Sequence, residues 1–204
     1  DRNIVIGGKA LLNANSGEDA NIAIGYAALS VLDDSAADHN TVVGSYAGER
    51  MTTGKENSIF GHEAGSYLTT ASGSVMIGED AGRSVTTGNQ NIAIGFNSMN
   101  GGTITGDSNI AIGEDAMGTG ATTGYDNVCV GTKTGLALTS GYGNVFVGNL
   151  AGQAHQTGGI NTFIGQQAAY GANGVRGAVV VGQATAYNMT SDADYTTCIG
   201  TEAL

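Results

Sequence analysis

The chain has 204 residues, with 35 glycines, no proline and no tryptophan, and eighteen acidic against seven basic side chains give it a formal net charge of -11. That charge repels nucleic-acid phosphates and anionic lipid, so neither nucleic acid nor a membrane is an expected partner. Apolar runs are broken after a few residues, short of the roughly 20 that a spanning helix needs, and the 6% aromatic content points to a thin core of Ile, Val and Ala.

From the first residues onward one short phrase recurs, a strand-like tetrad closed by glycine, as in Asn21-Ile22-Ala23-Ile24-Gly25 and Asn109-Ile110-Ala111-Ile112-Gly113. The closing glycines are Gly7, Gly25, Gly44, Gly61, Gly78, Gly95, Gly113, Gly131, Gly148, Gly165, Gly182 and Gly200, at intervals of 17 to 19 residues. A period this regular predicts a solenoid in which each repeat is one coil. The expected fold is an all-β parallel β-roll or β-helix of about twelve coils of 17–18 residues, one domain over residues 1–204, roughly 55 Å long at about 4.8 Å per coil. The chain opens on Asp1-Arg2-Asn3, inside a repeat, and is read as a segment of a longer fibre.

Each repeat is numbered here from its closing glycine as zero. Position -1 is always β-branched or Phe, from Ile6 to Ile199, and -2 is apolar as well, including Val42, Phe146, Phe163 and Cys198. Neighbouring strand residues point to opposite faces. A coil has a single inside, so the second apolar face needs a cover, either other chains around a shared axis or another layer of the same coil, and trimerisation is expected to bury the -2 or +3 face. Position -4 is Asn in nine repeats (Asn3, Asn21, Asn40, Asn57, Asn91, Asn109, Asn127, Asn144, Asn161), which predicts a buried hydrogen-bonded ladder. Position +3 is small throughout, as at Ala47 and Ala116. Position +7 is often apolar, and Thr-Thr or Thr-Ser follows it at Thr52, Thr69, Thr86, Thr139 and Thr190, which predicts a second, shorter strand per coil. Irregular stretches at residues 30–39, 100–108 and 187–195 are expected to protrude as loops.

Cys129 and Cys198 share position -2 four coils apart, roughly 19 Å, too far for a disulfide, and are expected to be reduced core residues. His39, His62 and His155 are isolated and expected at the surface or in turns, with His62 able to meet its copies in a trimer.

The tetrad, its glycine and the small +3 residue resemble the head repeats of trimeric autotransporter adhesins of the Yersinia adhesin type. The fuller phrase Asn57-Ser58-Ile59-Phe60-Gly61-His62-Glu63-Ala64-Gly65 with Thr69-Thr70 is similar to repeat regions of bacteriophage tail fibres. Asn lies at -4 rather than the -5 of the adhesins, and the period is three or four residues longer. The resemblance implies a left-handed roll, a homotrimer, and an extracellular place on a virion tail fibre or bacterial surface. Its expected role is structural and adhesive: attachment to a host surface, through a cell-surface glycan or protein receptor, by exposed turns and loops.

Within that frame Tyr125 and Tyr142 share position -6 in consecutive coils, and Tyr170 and Tyr187 share +5. Each pair stands about one strand spacing apart, so the rings either pack on each other to protect the turns or offer flat faces to sugar rings. These four are the candidate glycan-binding residues. Glu79-Asp80 and Glu114-Asp115, two coils apart at about 10 Å, set up the alternative of a glycan-cleaving tailspike, and the threonine column sets up that of an ice-binding solenoid. No catalytic residue, metal ligand or cofactor is expected, and the chain is read as a non-enzyme.

Overall fold

The computed structural model describes residues 2–14, 17, 19–32 and 37–203. Twelve three-residue strands, β1 (Ile4–Ile6), β2 (Ile22–Ile24), β3 (Thr41–Val43), β4 (Ser58–Phe60), β5 (Val75–Ile77), β6 (Ile92–Ile94), β7 (Ile110–Ile112), β8 (Val128–Val130), β9 (Val145–Val147), β10 (Thr162–Ile164), β11 (Val179–Val181) and β12 (Thr197–Ile199), form one parallel sheet in sequence order. The result is an all-β parallel solenoid of about eleven turns. Register is kept throughout: Val42 pairs with Ile59, which pairs with Met76, which pairs with Ala93. At each junction the -3 amide donates to the -4 carbonyl of the next coil, as from Ile22 to Asn40 (2.8 Å), and the closing glycine donates back to the preceding coil, as from Gly25 to Ile6 (2.8 Å).

The closing glycine is dictated by the backbone. At Gly95 φ is +124°, and a Cβ there would stand 2.8 Å from the backbone of Gly113 in the next coil. No L side chain meets either condition.

The inside of the coil corrects the expected facing. The -2 side chains are the core: Val42, Ile59, Met76, Phe146 and Phe163 are fully buried within the chain itself, as is +3 from Ala28 to Thr185. Positions -1 and -3 point outward instead. The expectation that sister chains would cover the -2 or +3 face is therefore overturned, because those positions already have their cover. The physical signal lies in side-chain volume. The -1 residues are Ile or Val except Phe60, whereas -2 ranges from Ala to Phe, and where -2 is Ala the residue at +4 supplies the bulk (Leu29, Met99, Met117).

The expected second strand is also corrected. Between the glycine and the threonine pair the chain runs as consecutive turns, with +2 in the left-handed region in every coil, including Tyr46 (φ 59°) and Lys133 (φ 56°). The turns direct successive amides to the neighbouring coils, Tyr46 to the Tyr26 carbonyl (2.8 Å) and Leu29 to the Ala47 carbonyl (3.1 Å). Those bonds offset the cost of the strained backbone. The segment 100–108 does not simply protrude: Ile104 is buried and bridges Val85 in parallel. The stretch 187–195 likewise buries Met189. The first irregular stretch includes residues 33–36, which lie outside the described residues, although Leu32 and Ala37 flanking them are buried.

Candidate functional site

The asparagine ladder is a structural device. Each Oδ1 accepts from the next rung, and the Nδ2 of Asn21, Asn40, Asn57, Asn91, Asn109, Asn127 and Asn161 reaches the -7 carbonyl of the following coil. Asn127 shows the pattern: its Nδ2 donates to Asn109 Oδ1 (2.9 Å) and to the Gly141 carbonyl (2.8 Å), and its own Oδ1 accepts the Asn144 amide (3.1 Å). Ser74 continues the column with a shorter side chain, its amide donating to Asn57 Oδ1 (3.0 Å) and its hydroxyl accepting from the Asn91 amide (3.3 Å). With donors and acceptors met inside the coil, these amides are engaged in packing.

The tyrosine pairs form as expected from their register. Tyr125 and Tyr142 stack with centroids 5.6 Å apart and planes 17° from parallel, and Tyr170 and Tyr187 with centroids 4.8 Å apart at 14°. Tyr125 keeps 51% of its surface exposed and the other three are half-buried. Tyr187 borders a shallow cavity with Asn188, Met189 and Thr190. A third aromatic column, missed in the sequence, runs at +1 and +2 through Tyr26, Tyr46 and His62, edge to face at 5.4 and 6.3 Å.

The threonine column is occupied by internal bonds. Thr52, Thr69, Thr86 and Thr139 each donate the hydroxyl to a carbonyl of the next coil, at 3.2, 3.1, 3.3 and 2.9 Å. Of the acidic pairs, Glu79 and Glu114 are exposed, and Asp80 lies 3.6 Å from the Arg83 guanidinium. Arg83 also meets Glu63 at 3.1 Å. Among the described residues no three His, Cys, Asp or Glu side chains gather as metal ligands.

Two further expectations divide. Cys129 and Cys198 are free and buried, and burial pushes the Cys129 thiol up. His155, expected at the surface or in a turn, is fully buried. It occupies +7, where the preceding coil has Leu138, and lies edge-on to Phe146 (5.4 Å) and Phe163 (5.8 Å). Burial lowers its pKa to about 4, and its Nδ1 has no hydrogen-bond partner. The register alone carried this signal, since the same position is apolar in neighbouring repeats.

The largest unsatisfied feature is the outward strand face. Positions -1 and -3 make a continuous stripe along the twelve strands, half-buried to exposed, with Phe60 at 40% and Ile77 at 41% exposure. None of its residues is charged, and most are Ile or Val. An apolar stripe of this extent is more than scattered surface hydrophobics account for. Among the described residues no helix is long and apolar enough to cross a membrane. Comparison with protein-family models, with curated proteins and with solved structures finds no match to this chain.

Proposed function

We propose that the chain is a structural and adhesive rod: a fibre segment, of the kind found in phage tail fibres or bacterial surface adhesins, that assembles as a homotrimer outside the cell and attaches to a host surface by its exposed turns. One observation carries the reading, the uncharged apolar stripe at -1 and -3. Copies bearing -11 each repel one another at a distance, so their contact has to form where neither side brings charge. The stripe is uncharged in every coil, so copies placed side by side in register cover it along the whole length. Assembly then multiplies weak surface contacts by avidity.

The test is the mass in solution by light scattering. A value near three chains is expected, and Ile77→Asp with Ile112→Asp in the stripe should release folded single chains with unchanged circular dichroism. A stable wild-type monomer would defeat the proposal. The ice-binding alternative is less favoured because the threonine hydroxyl protons are already committed to carbonyls. The tailspike alternative is less favoured because Glu79 and Glu114 are exposed to solvent.

A further inference from the structure

Three of the seven basic residues are accounted for by neighbours: Arg2 by Asp19 (2.6 Å), Arg83 by Glu63 and Asp80, and Lys9 by the ring of Tyr26, 5.4 Å from its Nζ. Arg50 differs. Among the described residues it makes no ion pair, yet it is held in place, its guanidinium 4.1 Å from the centroid of the Tyr67 ring. Arg83 stands 5.2 Å from the same ring, so the tyrosine is bracketed by two cations. Around the coil, +7 is buried (Met51, Leu68, Val85) while +6 and +8 point outward. Arg50, Tyr67 and Ser84 therefore form one ridge, and Thr69, Thr86 and Thr103 another, with a trough of about 350 Å³ between them.

The trough combines two kinds of polar group. Arg50 brings guanidinium donors suited to a carboxylate. Thr69 and Thr86 have each given their hydroxyl proton to a carbonyl of the next coil, so toward the trough they offer lone pairs. Lone pairs in a row accept from O–H donors. In a chain of net charge -11, the lining of this trough contains no carboxylate, while on its other side Arg50 borders a second cavity with Glu49 and Glu63. A ligand that answers every group is an anion rich in hydroxyls and at least one ring long.

We propose that the trough lined by Arg50, Tyr67, Thr69, Ser84, Thr86 and Thr103 binds a carboxylate-bearing sugar, with Arg50 on the carboxylate and the threonines accepting from the ring hydroxyls. Tyr67 is a positioning residue, which holds the guanidinium at the rim through cation–π contact. The inference deepens the attachment reading and rests on it for its biological setting. It moves the ligand site away from the stacked tyrosines to a place where charge selects the sugar.

The experiment is titration of the 204-residue chain with 3′-sialyllactose, with trigalacturonate and with lactose, followed by NMR. Binding of at least one acidic sugar at millimolar concentration is expected, with lactose at least tenfold weaker, and the sugar that binds tells a terminal sialate from an internal uronate. Arg50→Gln should weaken binding about tenfold or more, and Arg176→Gln, on an exposed residue of a distant coil, should leave it unchanged. Raising salt from 0.05 to 0.5 M should weaken it further. No binding of either acid at about 10 mM, equal binding of lactose, or an unaffected Arg50→Gln overturns the site. The light-scattering mass is independent of all three, so a trimer without sugar binding removes this inference and leaves the fibre reading standing.

Discussion

Coils 6 and 7, numbered by the strands β6 and β7 that they contain, fill their interior in the opposite way from coils 5, 8 and 9. In the first group the strand contributes only a methyl (Ala93, Ala111), and a long side chain comes from the turn at +4 (Met99, Met117), all fully buried. In the second the strand contributes Met76, Cys129 or Phe146 and the turn offers Gly82, Gly135 or Gly152. The pairing is direct. A Cβ at Gly135 would stand 2.6 Å from Cys129 Sγ, and one at Gly152 would stand 2.9 Å from the Phe146 ring. Both groups share the left-handed backbone at +4, φ 52° at Met99 and 57° at Gly152, so volume and not conformation separates them. The two positions thus fill one space between them, a rough sum in which bulk at one goes with a small residue at the other.

Moving the bulk from strand to turn tests that sum most strongly. Phe146→Ala should cost about 3–5 kcal/mol, because the cavity left between Phe163 and His155 cannot collapse. Gly152→Leu alone should cost roughly 1–3 kcal/mol by overpacking against Phe146. The double variant should recover a large part of the loss, which a double-mutant cycle in urea reads as a coupling above about 1 kcal/mol. Strict additivity would show that the two positions do not share a space.

The next largest effect sharpens the contrast between coils 8 and 9. His155 in the folded chain titrates near pH 4 against an ordinary value of 6.5. Its depressed pKa means that the unfolded chain takes up the proton first as the pH drops. The associated stability is complete above about pH 6.5 and declines toward pH 4, by about 3 kcal/mol in all at roughly 1.4 kcal/mol per pH unit. His155→Leu, copying Leu138, should remove that slope and raise the melting temperature at pH 5. An unchanged pH profile would mean that the imidazole is not the titrating group.

Smaller still is the ladder. Asn127→Ala strips Asn109 Oδ1 and the Gly141 carbonyl of a donor and should cost about 1–3 kcal/mol by chemical denaturation. Asn127→Ser, copying the rung at Ser74, should cost less. Thr139→Val is the mildest, at about 0.5–1.5 kcal/mol, for the one hydroxyl bond to the Gln156 carbonyl. A loss at Thr139 larger than that at Asn127 would invert the order of the two columns.

Much of this architecture was legible in the sequence because the repeat stays in phase. The closing glycines, the Asn rungs, the stacked Tyr125–Tyr142 and Tyr170–Tyr187 pairs and the lone cysteines all follow from position alone. The facing of the strand did not. Ile and Val at -1 look like core to any reading by hydrophobicity, and with -2 apolar as well, alternation cannot choose between them. The deciding signal was the exchange of size between -2 and +4, Ala93 with Met99 but Met76 with Gly82, which appears only when two positions of one coil are compared. His155 was misjudged for a related reason: a polar residue type outweighed a buried position. Arg50 and Tyr67 share +6 in consecutive coils, and the argument that paired the tyrosines would have paired them too. The left-handed +2 residues carry no compositional mark, since Lys9, Tyr46 and Leu150 have nothing chemical in common.

The buried +7 column between two outward columns has one more consequence. Since Met51, Leu68 and Val85 form the floor and the +8 threonines tie each coil to the next, a side chain at +6 can be exchanged without disturbing the wall it stands on. The rod therefore works like a printing forme, in which each coil sets one character of a line about 4.8 Å from the next. A new text on such a line needs no recasting of the frame.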